Sequence, residues 1–210
     1  MTTEINNAGV PDEGWIQIAH GHIFHPMDPR PEEVFIEDIA QSLSRQIRYN
    51  GHSDEIINVA HHSCNCAWLA DVMGHGPKTQ LAMLMHEGGE YIVGDMIRPL
   101  KVKFPDFILI EDDIMTAINT RFDLPVIDHK LLKFFDNLAL SWEKRDLYKS
   151  ARDWPYMLEV PDWCPTIQTW SHAYSEQRFL SMFAWLQLEI KAPQTKGRSF
   201  KYTTTAWDGQ

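Results

Sequence analysis

Apolar residues recur along most of this chain at helical intervals, and strand-like alternation is almost absent. Ile39, Ala40, Leu43 and Ile47 predict a helix over Ile36 to Tyr49. Asn50-Gly51-His52 breaks it, and Ser53, with Asp54 and Glu55 behind it, is the expected N-cap of the next helix. That helix carries Ile56, Ile57, Val59, Ala60, Cys64, Ala67, Trp68 and Val72 and ends at Gly74. A third helix runs from about Thr79 to Gly94, and others from Asp106 to Arg121, Ile127 to about Ser150, and Thr169 to Ile190. Trp15 to Ala19 alternates weakly and suits a short strand or hairpin arm. The prolines of His25–Pro31 require a loop, and Trp154 to Pro165 is irregular and aromatic. The pattern predicts an all-α fold: one domain over 15–190, a loose arm over 1–14 and a mobile Lys/Thr/Gly-rich tail over 191–210.

Composition narrows the function classes. A chain of 210 residues that is 44% hydrophobic can bury a core and is not disordered. No apolar run is long enough to span a membrane, and the first residues lack the basic and apolar regions of a secretion signal. The net charge of −10 opposes binding to a nucleic-acid polymer but not to a small anion, for which a few local cations suffice. Cys64, Cys66 and Cys164, an odd and low count, suit a reducing cytoplasm. Cys64 and Cys66 are read as core residues, since neighbours two apart on a helix face different ways.

The chemistry concentrates in Met85-His86-Glu87-Gly88-Gly89-Glu90-Tyr91-Ile92-Val93-Gly94-Asp95, which follows the apolar run Leu81 to Leu84. Buried charge is costly unless it is paired or bound to a metal, so ionisable groups there mark a site. On one continuous helix His86 and Glu90 would share a face, with Glu87 on the flank. Gly88 and Gly89 are poor helix formers whose lack of a side chain lets something approach the backbone. His61 and His62 lie in the preceding helix, and spacing alone does not choose between them. Asp136, flanked by Leu132 and Leu140 one turn away on each side, offers a further carboxylate on an apolar face. Mixed nitrogen and oxygen donors suit Mn, Fe, Co, Ni or Zn better than a closed thiolate site.

These segments together resemble the HD-domain phosphohydrolase superfamily, nearest its branch of bacterial 5′-deoxynucleotidases and phage dATP triphosphohydrolases. The likeness runs from about Trp15 to Leu186. It rests on Asp28-Pro29-Arg30-Pro31, Ile36-Glu37-Asp38-Ile39-Ala40, Arg48-Tyr49-Asn50-Gly51-His52, Val59-Ala60-His61-His62-Ser63, Leu84 to Tyr91, Gly94-Asp95, Arg98-Pro99-Leu100-Lys101 and the surroundings of Asp136. The resemblance implies an HD-type helical fold with a divalent transition metal (Co, Mn, Zn or Fe), and additional Mg as a further option. It assigns the metal to His62, His86, Glu87 and Asp136. It assigns catalysis to Glu90 and Asp95, which become ligands if a second metal binds. Arg48 and Lys101 would meet phosphate, and Tyr49 and Pro99 would wall the base pocket.

One residue departs from the pattern. The family's eponymous aspartate is glutamate at position 87, and its extra methylene moves the carboxylate by about 1.5 Å. The implied activity is hydrolysis of dATP to deoxyadenosine and triphosphate. The alternatives are a 5′-deoxynucleotidase acting on monophosphates, an HD domain that binds nucleotide or metal without turnover, and a signalling phosphodiesterase. The implied setting is the cytoplasm (the host's, if phage-encoded), and the implied assembly is a homo-oligomer. Exposed residues among Trp142, Trp154, Trp163, Trp170, Trp185 and Trp207 are candidates to feed its interface.

Overall fold

A computed structural model describes residues 14–150 and 152–192. Most of the expected arm and tail, Trp207 included, lies outside the described residues. The rest is mostly helical, as the apolar spacing predicts. Two short antiparallel strands, β1 (Ile16–Gln17) and β2 (Ile23–Phe24), form the hairpin arm, with Ile16 opposite Phe24. Helix α1 (Ile36–Arg45) buries Ile39, Ala40 and Leu43. It also buries Asp38, whose two oxygens take His20 Nδ1 at 2.6 Å and His22 Nδ1 at 2.7 Å. That carboxylate ties the arm to the helical body.

Helix α1 is shorter than its spacing suggests. Gln46 is extended, and Tyr49, Asn50 and Gly51 all take positive φ, so the segment after Arg45 turns instead of continuing as helix. Ile47 pairs with Asn58 in an isolated antiparallel bridge. The next helix therefore starts later than expected, as α2 (Val59–Val72), and its cap is Asn58, whose side chain accepts from the His61 amide at 2.9 Å. Ser53 is not the cap: its hydroxyl closes a local turn onto the Glu55 carbonyl.

Helix α2 is the axis of the fold. Nearly every residue from Val59 to Ala70 is buried, which is the signature of a helix packed on all sides. Helix α3 (Pro77–Met85), α7 (His129–Leu147), α8 (His172–Lys191) and α1 pack around it. The short helices α4 (Glu90–Val93) and α5 (Arg98–Lys101) and the long α6 (Pro105–Phe122) cover the end where the ionisable residues gather. Two tryptophans named for an interface are spent on the core: Trp142 is 1% exposed and Trp170 6%. Trp163 is exposed. No described helix is long and apolar enough to cross a membrane.

Candidate metal centre

The expected helix over 79–94 is broken at its chemical centre. It stops at Met85, and the chain then closes three-residue turns, with Gly88 N–H on Met85 O, Glu90 N–H on Glu87 O and Tyr91 N–H on Gly88 O. In such turns residues three apart eclipse one another, whereas residues four apart do not. Glu87 thus aligns with Glu90, and His86 is directed elsewhere, which reverses the expected pairing of His86 with Glu90.

The tightening has a visible cause. A Cβ on Gly89 would lie 2.9 Å from the Glu111 carbonyl oxygen, and one on Gly88 would lie 3.2 Å from Ile118 Cδ1 and Met115 Sδ. Helix α6 therefore rests directly on the glycine pair. Gly89→Ala is expected to cost about 1–3 kcal/mol through overpacking, more than the roughly 1 kcal/mol that alanine gains in helix propensity. Urea unfolding checks this; a more stable variant would mean that α6 does not press on the turn.

Four side chains from three helical segments converge. His62 comes from α2, His86 and Glu87 from the turn after α3, and Asp136 from α7. Their donor atoms all lie within 4.8 Å of one another. His86 Nε2 is 3.3 Å from Glu87 Oε1, and His62 Nε2 is 3.4 Å from Asp136 Oδ1. Ligands bound tetrahedrally at about 2.1 Å from an ion stand about 3.4 Å apart, so these separations fit a shared cation. His61, the other candidate, is buried and stacked on Trp170 at 3.8 Å between ring centroids, so it is a packing residue.

The ring orientations also fit. His86 Nδ1 lies 2.6 Å from the Met83 carbonyl, which can only accept, so Nδ1 carries the proton. Nε2 is therefore the nitrogen left for an ion; it is buried, without a hydrogen-bond partner, and 3.3 Å from Glu87 Oε1. His62 Nδ1 lies 2.6 Å from Glu143 Oε1, and its Nε2 faces the cluster. A carboxylate behind the far nitrogen fixes a ligating imidazole and raises its basicity. The residues therefore suit a metal ion.

Glu143, which the sequence pattern does not single out, lies directly behind the centre. It is fully buried, and besides His62 it accepts from Arg48 Nε at 3.1 Å and from the Tyr49 hydroxyl. Burial opposes its ionisation, but the Arg48 charge and the His62 and Tyr49 contacts hold its pKa down to about 2. Its signal was the seven-residue step from Asp136, two helical turns along one face of α7. Tyr49 sits at φ 58°, a costly conformation for an aromatic residue, with its ring among Arg48, Tyr148 and Trp154. Arg48 is 7% exposed, and its Nη1 is 4.0 Å from Glu87 Oε1.

Cys66 stands closer to the chemistry than expected, with Sγ 3.4 Å from His62 Nε2. Burial raises its thiol pKa, which keeps it protonated and a weak ligand. Cys64, Cys66 and Cys164 are all buried free thiols.

The two expected catalytic carboxylates border the centre. Glu90 is 3% exposed, its Oε2 lacks a hydrogen-bond partner, and its Oε1 is 3.6 Å from Lys101 Nζ. Burial first, then the charges of Glu87 and Asp95, lift its pKa to about 9. Burial also raises Asp95, against the pull of Arg48. Gln46 braces this loop by donating to the Glu90 carbonyl at 2.9 Å and accepting from the Asp95 amide at 3.1 Å. Lys101, expected at the phosphates, sits in α5 and meets Glu111 Oε1 at 2.7 Å. Pro99 is exposed on the same short helix.

A pH dependence follows from Glu90. Its folded-state pKa of about 9 stands above the ordinary 4.5, so folding favours the protonated form. That contribution is complete below pH 4.5 and is lost as the pH rises towards 9. Glu90→Gln removes the penalty. Its stability advantage over wild type, measured by urea unfolding with a chelator present, is expected to grow from pH 5 to pH 8.5. An advantage that does not change with pH would refute this.

The chain matches no protein-family model. It is 34% identical over 118 residues to an uncharacterized protein of Rhodobacter capsulatus, a match covering 54% of this chain and 60% of that protein. It is 29% identical over 148 residues to the uncharacterized protein YfdR of Escherichia coli K12, covering 70% of this chain and 80% of that one. The first match thus spans less than two thirds of its relative, and neither name states an activity.

Proposed function

We propose that this protein is a metal-dependent phosphohydrolase of the HD-domain kind, acting on deoxynucleotides. Its proposed activity is that of a dATP triphosphohydrolase, yielding deoxyadenosine and triphosphate. The observation that carries the metal reading is the convergence of His62, His86, Glu87 and Asp136 around the unpartnered Nε2 of His86. A bound divalent ion of the Co, Mn, Zn or Fe type would polarise a phosphate oxygen and lower the pKa of water. The substrate class rests on the sequence resemblance and on the basic groups at the centre's edge.

Each residue has a part in this reading. His62 and His86 turn Nε2 towards the ion, with Nδ1 of each held by Glu143 and the Met83 carbonyl. Glu90 takes the water proton, and it needs nearby positive charge to ionise at neutral pH, which Lys101 supplies in part. Asp95 assists the leaving oxygen. Arg48 and Lys101 steady the phosphates, and Tyr49 and Pro99 border the base. A homo-oligomer belongs to the same proposal, and sedimentation equilibrium tests it.

Product analysis is the direct test. Deoxy- and ribonucleotide mono- and triphosphates are incubated with Co, Mn, Zn or Mg and resolved by chromatography. Deoxyadenosine with triphosphate from dATP is the expected result. Orthophosphate from dAMP alone would replace the triphosphohydrolase reading with a 5′-deoxynucleotidase. No turnover of any nucleotide, with metal bound, would leave a binding domain.

A further inference from the structure

We propose that Cys66 is a metal ligand: with His62 and His86 it forms a seat for a thiophilic ion such as Zn, an alternative to the carboxylate seat of the same centre. This rests on the reading of His62 and His86 as metal ligands but not on any turnover.

His62 Nε2, Cys66 Sγ and a His86 ring nitrogen lie within 4.8 Å of one another, in a group separate from the one that Glu87 and Asp136 complete. Cys66 follows His62 by four residues on α2, so the two side chains stand on one face of the helix, one turn apart. Sγ is 3.4 Å from Nε2. A sulfur at about 2.3 Å and a nitrogen at about 2.0–2.1 Å from one tetrahedral ion stand about 3.5 Å apart, so the observed spacing is that of two ligands. The Phe135 carbonyl, at 4.0 Å, is at the outer limit of what a thiol can reach and does not engage the sulfur firmly.

A buried cysteine alone marks nothing, since most serve packing. The independent sign comes from His86. Its side chain is 3% exposed, and its Nε2, the nitrogen turned away from the Met83 carbonyl, is buried without a hydrogen-bond partner. That nitrogen is common to the two donor groups.

Ligand softness separates the two seats. Two imidazoles with two carboxylates suit Mn, whereas two imidazoles with a thiolate suit Zn. As Zn binds, the Cys66 S–H bond breaks, the proton passes to solvent and an S–Zn bond forms. Both seats draw on the Nε2 atoms of His62 and His86. Each nitrogen has one lone pair to give, so an ion in one seat excludes an ion from the other. Zn therefore competes with Mn through a residue that Mn does not touch.

The test is a Co titration of the full chain followed by absorption, with Mn binding followed by electron paramagnetic resonance, for wild type, Cys66→Val, Cys66→Ser and Asp136→Asn. Co stands in for Zn, and a thiolate ligand gives it a charge-transfer band in the near ultraviolet. Wild type is expected to show that band. Both Cys66 variants should lack it, keep their affinity for Mn and bind Zn on the order of a hundredfold more weakly, the share of one ligand in a four-ligand zinc site. Asp136→Asn should keep the band and lose Mn. Zn added to the Mn-loaded wild type should release Mn. Bound Co without the band in wild type, or a band that survives in either Cys66 variant, would overturn the thiolate seat and leave the carboxylate seat standing. Zn and Mn bound together would overturn the exclusion. Failure of wild type to bind Co, Zn or Mn would overturn the metal centre as a whole. Circular dichroism confirms that each variant is folded, and the wild-type spectrum decides the question without them.

Discussion

Under the proposed phosphohydrolase function, Asp136→Asn is expected to lose the ion held at the centre and to lower hydrolysis on the order of a thousandfold, with the fold intact. Asparagine keeps the volume and the local hydrogen-bonding capacity but removes the negative charge that the centre needs. Asp136 has its pKa held well below the carboxylate range: burial opposes ionisation, and the His62 contact with the His86 and Lys133 charges outweighs it. Lys133 Nζ also fixes Oδ2 at 2.9 Å, which leaves Oδ1 towards His62. In asparagine Lys133 holds the single amide oxygen, so the amide nitrogen, which does not bind a metal, faces His62 and the donor set drops to three. A thousandfold loss corresponds to about 4 kcal/mol of transition-state stabilisation. Metal content by elemental analysis and turnover under saturating metal measure the two effects separately. Full activity in a variant that holds no metal would sink the metal mechanism.

Glu143→Gln is expected to damage both stability and metal binding although Glu143 would never touch the ion. Arg48 would lose its closest counter-charge inside the protein, and an unpaired buried charge costs about 3 kcal/mol. His62 would lose the carboxylate behind Nδ1, which lowers metal affinity by about 10- to 100-fold. Glutamine keeps one acceptor oxygen, so either His62 Nδ1 on one side or Arg48 and the Tyr49 hydroxyl on the other must face an amide nitrogen that cannot accept. The double variant Arg48→Met/Glu143→Leu separates the effects. It should recover most of the stability, because the charge pair is removed as a unit, and should still bind metal weakly. If Glu143→Gln alone matched wild type in both unfolding and metal affinity, the supporting role assigned to Glu143 would be wrong.

The broad architecture was legible because burial writes a periodic signal. The helices at 105–122, 129–147 and 172–191 follow their apolar spacing to within a few residues of each end. Local chemistry also showed: Gly74 ends α2 at φ 82°, and the arm pairs as a hairpin. The misplaced boundaries share a cause. Ser53 and Asn58 are both competent caps, and the choice fell to Asn58 because Ile47 pairs with it across the intervening turn. The segment from His86 to Gly89 is helical in composition except for its glycines. Its tighter winding comes from α6, which is distant in sequence.

The residues of the centre divide in the same way. His86, Glu87, Glu90, Asp95, His62 and Asp136 stand out in the sequence because ionisable groups on apolar helices carry an energetic cost that only pairing or a ligand relieves. That argument works on one segment at a time. It finds candidates but not partners, since pairing depends on which helices lie side by side. The tertiary structure chose His62 over His61 by turning one imidazole to the carboxylates and stacking the other on Trp170. It added Glu143, which looks like an ordinary helix-surface acid until α7 packs against the centre. It placed Lys101 among carboxylates, and it aligned Glu87 with Glu90 instead of His86. Sequence alone determined the helices and the kinds of donor they carry, because burial period and side-chain chemistry are local. Only the packing decided which donors share a cation, because distances of a few ångströms between helices follow from how whole faces fit together.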